Sequence, residues 1–315
     1  MMDKIPVVAV VGPTASGKTA LAVEIALKLG GEVISADSMQ IYRRMDIATA
    51  KPDEEETKGV RHHLIDFLDP GESISVARFC ELAREAIADI RNRGRLPVIA
   101  GGTGLYVDSL LGNTQFYDTE VDPALRAEIT AELEEKGIDA MLEYIRGFDP
   151  DTAERLSIER NPKRIIRAVE VYRSMGITPT EMNIRQKSDV SPYNAVKIGL
   201  TAADREYLYE RINRRVDIMI EKGLLAEAEE FYKSKAGETA SAAIGYKELL
   251  PYIKGELPLE VCTANLKRAT RRYAKRQLTW FGRDKAINWF NTDELSFDEI
   301  LGRSLNIINK EFSNE

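Results

Sequence analysis

Val7 to Leu21 read VVAVVGPTASGKTAL, and the fold turns on this stretch. Gly12, Gly17, Lys18 and Thr19 fit the pattern G-x-x-x-x-G-K-[ST], set directly after an apolar β-branched run and directly before a helical pattern. Val7 to Val11 have the continuous apolar character of a buried parallel strand, and Leu21, Ile25 and Leu29 recur at helical spacing. Glycines in such a turn let backbone amides curl inward. Those amides and the positive end of the helix dipole make a cradle for a di- or triphosphate, formed here by Gly12, Thr14, Ala15, Ser16, Gly17, Lys18 and Thr19. Lys18 is suited to a distal phosphate and the Thr19 hydroxyl to Mg2+. The motif says that phosphate is held, and leaves the reaction open.

Working outward, EVISADSMQIY gives a second buried strand, Val33 to Ala36, ending at Asp37 in a polar loop. SVARFCELAREAIADIRNRG is an amphipathic helix stopped by Gly94. LPVIAGGTGLYVDSLL is a third strand, Val98 to Ala100, running into a second glycine loop and another helix. This βαβ alternation predicts an α/β fold with a parallel sheet, a P-loop NTPase-like core whose ligand loops sit at the carboxyl ends of its strands. From Asp122 the pattern turns wholly helical: Asp122-Pro123, Asp149-Pro150 and Asn161-Pro162 are N-caps followed by Pro at the first helical position, and Gly137 and Gly176 are stops. Ala195 to Leu200 then returns to the sheet, and everything beyond Asp204 reads as helix. The expected organisation is a first part of the core over 1–121, an α-helical insert over 122–190, and the return strand with C-terminal helices over 191–315.

Composition bounds the function classes. The 315 residues, 43% hydrophobic and 30% charged, describe an ordinary globular protein with one large domain or two smaller ones. No signal-peptide pattern and no run of roughly 20 apolar residues is present, which predicts a cytoplasmic protein with no membrane partner. Cys80 and Cys262 are isolated, which supports neither a disulfide framework nor a zinc site and predicts buried fillers. His62 and His63 are adjacent in a strand and point to opposite faces, so a hydrogen-bonding role outranks a metal pair.

The net charge of −7 argues weakly against a nucleic-acid partner, but the distribution decides. Thr263 to Lys285 carries eight basic residues (Lys267, Arg268, Arg271, Arg272, Lys275, Arg276, Arg283, Lys285) against one acid, Asp284. Arg268, Arg271, Arg272 and Lys275 share a helical face, with Tyr273, Trp280 and Phe281 interleaved. Cations and stacking platforms in this mixture suit single-stranded nucleic acid, and a solvated face over core aromatics is the competing reading. Arg160, Lys163, Arg164 and Arg167 form a weaker second patch.

Asp37, Ser38 and Gln40 lie beyond one strand end and Thr103 in the glycine loop of another, so a carboxylate and several hydrogen-bonding groups face the phosphate loop across one crevice. Asp37 suits a magnesium acid and a general base equally. A nucleoside or nucleotide kinase on the same core and an ATP-driven RNA-binding module are therefore both open readings. The helical insert and Arg-rich helix favour an RNA substrate over a free nucleoside. The lack of a second acidic strand end disfavours a motor.

GPTASGKT, ISADSMQIY, HHLID, GGTGLY, KRIIRA, AIGYKE and KRQLTWF occur here in the order of the tRNA dimethylallyltransferase family, also called tRNA isopentenyltransferases, which the chain resembles from about Val7 to Phe290. The resemblance implies a prenyltransferase that moves the dimethylallyl group of dimethylallyl diphosphate to the exocyclic amine of the adenosine 3′-adjacent to the anticodon of tRNA, releasing diphosphate. It implies Mg2+ as cofactor, a nucleotide- or ATP-binding type of loop, and a monomer acting on the anticodon stem-loop. Carried over by residue, it makes Asp37 the general base, assisted by Thr103. Thr14, Ser16, Lys18 and Thr19 hold the diphosphate and its metal, with Arg215 on the diphosphate near Arg211 and Arg214. Asp37, Ser38, Met39 and Gln40 contact the extruded adenine. Ala243 to Glu248, with Gly245, Tyr246 and Lys247, and Arg160 to Arg164 touch the stem-loop; the charge pattern, not the resemblance, adds Arg167, Arg268, Arg272 and Lys275 as expected tRNA contacts. Met39 departs from the Arg of many members, as Arg61 does from their Pro.

Overall fold

The computed structural model describes residues 4–116, 122–186, 190–234 and 236–313. The chain opens β1 (Ile5–Val11), α1 (Lys18–Leu29), β2 (Gly31–Ser35), α2 (Glu54–Thr57), β3 (His62–His63), α3 (Val76–Asn92), β4 (Leu96–Gly101) and α4 (Gly104–Leu111). Four helices follow, α5 (Pro123–Arg146), α6 (Pro150–Glu159), α7 (Pro162–Met175) and α8 (Pro179–Gln186). The chain then continues with β5 (Tyr193–Thr201), α9 (Arg205–Glu221), α10 (Leu224–Lys233), α11 (Glu238–Ser241), α12 (Tyr246–Ile253), α13 (Leu259–Phe281), β6 (Ile287–Asn291) and α14 (Phe297–Phe312). It divides into two compact units, Met1–Leu111 with Pro192–Glu315, and Gly112–Ser191.

One six-stranded parallel sheet, in the order β3-β2-β4-β1-β5-β6, organises the first unit. Val7 to Val11 are 0% exposed, because helices cover both faces of the sheet and leave no side of the strand for polar residues. Leu21 and Ile25 of α1 share a core with Val8, Val10, Val98 and Ile198 and with Ile300 and Ile308 of α14. A second core joins Ile41, Tyr42 and Met45, just past β2, to Val216 of α9, Leu224 and Phe231 of α10, Tyr246 of α12 and Leu266 of α13.

β6 corrects the expectation of helix alone beyond Asp204. Its five residues pair with β5 at the sheet edge, Leu200 opposite Phe290, and only Ile287 and Phe290 are buried, so no period-two alternation is present. So short an edge strand carries too few periods to stand out from a helical surround.

In the second unit Asp122, Asp149 and Asn161 accept hydrogen bonds from the amides of Ala124 (2.8 Å), Thr152 (3.0 Å) and Lys163 (3.0 Å), each ahead of a proline in the first turn. Gly137, at φ 80°, breaks α5 into two segments and does not end it. Ile129, Ile145, Leu156, Ile165 and Val169 form that unit's own core.

Cys80 and Cys262 are free and buried. His63 Nε2 lies 2.7 Å from the carboxylate of the nearly buried Glu32, and His62 Nδ1 lies 2.9 Å from the Val60 carbonyl. Arg93 also binds Glu32 and, with His63, outweighs the cost of burial and holds its carboxyl down at about 2. Among the described residues no helix is long and apolar enough to cross a membrane.

Candidate functional site

The strand order sets β1 between β4 and β5, and β2 beside β4, so the loops following β1, β2 and β4 emerge side by side at the carboxyl edge. In the first loop Gly12 takes φ 138°, and a Cβ there would lie 2.3 Å from the Leu200 carbonyl oxygen; Gly17 takes φ 94°. Ala15 is also left-handed, at φ 62°, and its carbonyl accepts from Arg211 Nε at 2.8 Å. Side chains cap the first turns of α3, α5 and α9, but none caps α1, so the amides of its N-terminus are open to a ligand. Ser16 is 2% exposed and its Oγ has no hydrogen-bond partner among the described residues, an orphan hydroxyl in the wall of an anion cradle.

Lys18 donates to the Pro13 carbonyl at 2.6 Å. Burial and the neighbouring Arg215 push its ammonium down to about 7, against the pull of Asp37. Burial lowers Arg215 as well, again opposed by Asp37. One carboxylate and two cations thus share a poorly solvated crevice, a charge arrangement completed by an anion.

Asp37 stands just past β2, its Oδ1 accepting from the Met39 amide at 2.9 Å. Thr103, from the loop after β4, accepts from the Ser38 amide at 3.1 Å, and its own amide donates to the Ala36 carbonyl at 3.2 Å. Two further residues complete this corner: Tyr273, which the sequence offered only as an interleaved aromatic, and Gln277, which sequence reasoning passed over. Tyr273 of α13 hydrogen-bonds to Thr103 and Gln277, and burial pushes its phenol up. Gln277 is 5% exposed, accepts from the Thr14 amide at 2.9 Å and donates to the Gly102 carbonyl at 3.1 Å. Their i, i+4 spacing on α13, opposite the cationic face, was the available signal.

Each glycine of GGTG is explained by packing. A Cβ on Gly101 would lie 2.2 Å from the Ala36 carbonyl oxygen, on Gly102 2.0 Å from Gln277 Nε2, and on Gly104 2.2 Å from the Trp280 ring. Trp280 donates its indole N–H to Asp108 at 2.7 Å, and Phe281 is 2% exposed. Phe281 is thus a core aromatic, as the competing reading of this face has it, while Trp280 is half-buried and lines the open groove along α13.

Three cavities share these side chains. One of about 70 Å³ is lined by Thr14, Lys18, Thr19, Asp37, Arg215, Tyr273 and Gln277, among others. A second, about 240 Å³, takes in Asp37, Ser38 and Met39 with an apolar wall that includes Ala48, Val216, Met219, Ala243, Ile244 and Leu266. A third, about 590 Å³, opens on Gly17, Lys18 and Thr19 opposite Arg211, Arg214 and Arg215. Arg215 lines all three, whereas Arg211 and Arg214 line only the last of them, and Arg211 also holds the Ala15 carbonyl.

Other expected residues sit elsewhere. Tyr246 is fully buried and donates to Glu227 at 2.9 Å, which corrects its assignment to a contact surface; of Gly245, Tyr246 and Lys247 only Lys247 is exposed, and it lines the 240 Å³ cavity. Gln40 accepts from Ser35 Oγ and donates to the carbonyls of Thr49 and Ala50, so its amide holds the following loop. In the second unit Arg160 pairs with Asp139, Arg164 with Glu159 and Arg167 with Glu170, while Lys163 is exposed.

Along α13, Arg268, Arg272, Lys275 and Arg276 are exposed. Lys267 pairs with Asp217 at 2.6 Å, Arg271 donates to Asn213 and Arg268 to Asn265, each at 2.6 Å. Arg272, Lys275, Arg276, Thr279, Trp280 and Arg283 line an open groove of about 450 Å³. Arg276 lines this groove and the 240 Å³ cavity alike.

Comparison with known proteins supplies the remaining evidence. The IPP transferase family matches residues 40–284 and the isopentenyl transferase family residues 5–73. The tRNA dimethylallyltransferase of Acetivibrio thermocellus is 48% identical over 304 residues, covering 95% of this chain and 96% of the relative. The crystal structure of the full-length tRNA isopentenylpyrophosphate transferase of Bacillus halodurans aligns with TM-score 0.74 at 44% identity, over 99% of this chain and 97% of that one. A eukaryotic dimethylallyltransferase, captured in crystallographic snapshots acting on tRNA, aligns with TM-score 0.83 at 29% identity, over 99% of this chain and 80% of that one.

Proposed function

The chain belongs to the tRNA dimethylallyltransferase family, and from that membership we propose that it transfers a dimethylallyl group from dimethylallyl diphosphate to the exocyclic amine of the adenosine 3′-adjacent to the anticodon, releasing diphosphate. The observation carrying this reading is the shared lining of the cavities: Asp37 faces an apolar chamber on one side and the phosphate-loop crevice on the other, with Arg215 common to both. A carboxylate so placed serves a nucleophile and a leaving diphosphate at once.

In this mechanism the uncapped amides of α1, the Ser16 hydroxyl, Lys18 and Arg215 hold the diphosphate. Adenine, extruded from its stack at a cost of roughly a few kcal/mol, enters the chamber lined by Asp37, Ser38 and Met39. Its amine is a poor nucleophile because the lone pair is delocalised into the ring. As the C–N bond forms and the C–O bond to diphosphate breaks, the nitrogen gives its proton to Asp37, a transfer worth about 10²–10⁴-fold. The Met39 amide keeps that carboxylate in place, and Thr103 holds the next residue of the turn through the Ser38 amide. The growing charge on the departing diphosphate falls on the amides, Lys18 and Arg215. The hydroxyl of Thr19, which lines the same small cavity as Lys18 and Arg215, is a hard oxygen donor that fits Mg2+ beside phosphate oxygens. When bound, the ion would supply additional neutralisation of the leaving group.

The acceptor lies along the groove of α13, with Arg276 at the junction between backbone contacts and the chamber. Arg160, Lys163, Arg164 and Arg167 of the insert and Lys247 add further contacts, and the enzyme acts as a cytoplasmic monomer. Replacing Arg272 or Lys275 with Ala should weaken tRNA binding and flatten its log–log salt dependence by about 0.7 to 0.9 per lost phosphate contact. Arg268→Ala should do so less, since that guanidinium leans on Asn265. Binding isotherms across a salt series check this, and unchanged slopes for all three would assign the stripe to solvent.

The function itself is tested by incubating the protein with unmodified tRNA, Mg2+ and either dimethylallyl diphosphate or ATP, then digesting to nucleosides for mass analysis. The expected result is a gain of one five-carbon unit on a single adenosine, with the prenyl donor only. A phosphate gained from ATP would favour the kinase reading.

A further inference from the structure

Arg215 and Met219 are i, i+4 on α9 and line the same two cavities, the apolar chamber beside Asp37 and the outer cavity over the phosphate loop. The guanidinium marks the diphosphate end of the donor, and the thioether lies one turn further along the helix, about 6 Å by the rise of an α-helix. That is the reach of one isoprene unit from its phosphate ester.

The wall that shares these cavities with Met219 is unusually fixed. Ile47 lines the outer cavity and Ala48 the inner one, and the amides of Asp46, Ile47 and Ala48 all donate to the carboxylate of Glu227, at 2.9, 2.7 and 2.9 Å. Tyr246 donates to the same carboxylate at 2.9 Å, and Gln40 and Lys51 hold the residues on either side. Behind the wall, Gly245 at φ +122° approaches so closely that a Cβ there would lie 3.2 Å from the Ala48 Cβ. Four hydrogen bonds on one carboxylate and a backing strand of chain leave this wall little freedom to retreat. Met219 is the long, unbranched and adaptable member of the pair.

We propose that Met219 sets the length of the isoprenoid that this protein transfers, closing the chamber one isoprene unit from the diphosphate against the clamped Ile47–Ala48 wall. The proposal rests on the dimethylallyl-transfer reading. With the ten-carbon donor geranyl diphosphate the same bonds change: the C–O bond to diphosphate breaks, a C–N bond to the adenine amine forms, and the amine proton goes to Asp37. Only the room for the second isoprene unit differs.

The test measures kcat/KM for dimethylallyl and geranyl diphosphate on the same tRNA, with the prenylated nucleoside identified by mass. The native protein is expected to prefer the shorter donor by about 10²-fold or more, and Met219→Ala to narrow that ratio by about tenfold or more. An unchanged ratio in folded, dimethylallyl-transferring Met219→Ala overturns the proposal. Met219→Val, which removes less of the side chain, should move the ratio the same way by a smaller factor, and decides the matter if the alanine variant does not fold. A native protein that prenylates no tRNA with dimethylallyl diphosphate would instead bring down the underlying reading.

Discussion

Asp37→Asn is expected to lower turnover by about two to four orders of magnitude while tRNA affinity stays within a few-fold. Asparagine is the informative replacement. Its side-chain oxygen still accepts from the Met39 amide, which now closes the turn beyond β2 through Asp37 Oδ1, so the loop carrying Ser38 and Met39 keeps its course. What is lost is the capacity to take a proton from the adenine amine. Single-turnover prenylation with saturating donor, set beside tRNA binding on the same preparation, separates the two effects. Turnover near the native value would remove Asp37 from the role of base.

The second large effect concerns Lys18. Lys18→Ala should reduce use of the prenyl donor by about 10²–10³-fold, the scale of losing one preorganised group on a developing anion, with little change in tRNA affinity. Burial and Arg215 already hold the ammonium at about 7, below its ordinary 10.5, so the free protein sheds this proton as pH rises through about 7. A diphosphate beside it restores the charged form. Donor binding above pH 7 should therefore take up a proton, and donor affinity should fall as pH climbs from 7 towards the bound-state value. Calorimetry in two buffers of different ionisation enthalpy reads the uptake directly, and Lys18→Ala should abolish it. The same shift acts on folding with a definite sign. A lysine whose folded value is depressed binds its proton more weakly than in the unfolded chain, so its contribution favours the folded state increasingly as pH rises from about 7 towards 10.5. Equal loss of donor and tRNA binding in Lys18→Ala would mean that the loop grips the RNA backbone instead.

Sequence reading reached the features whose causes are local. A glycine pattern between a buried strand and an amphipathic helix has few structural solutions, and Asp122, Asp149 and Asn161 cap the helices they precede because capping involves only neighbours two or three residues on. What stayed hidden depends on partners far along the chain. Gln277 meets the Thr14 amide across 263 residues, and Glu227 meets the Ala48 amide across 179. Nothing in LLAEAEEFY marks Glu227 as a wall-builder, and Gln277 shows only its i, i+4 spacing from Tyr273. Tyr246 was misassigned for the same reason, since only the packing of α10 against α12 turns its ring inward. β6 was missed because a five-residue edge strand is defined by the neighbour it pairs with more than by its own pattern.

The glycine loop after β4 has a consequence for how such a protein can be rebuilt. Helix α13 seals two of that loop's three glycines, through Gln277 and Trp280, and the same glutamine closes on the Thr14 amide. An element that would serve the acceptor is thus also masonry of the donor's chamber. The C-terminal helices are not a transplantable RNA-binding cassette: grafting them onto another phosphate-loop core would require matching glycines there, and removing them from this one would leave a core unable to hold its own phosphate loop.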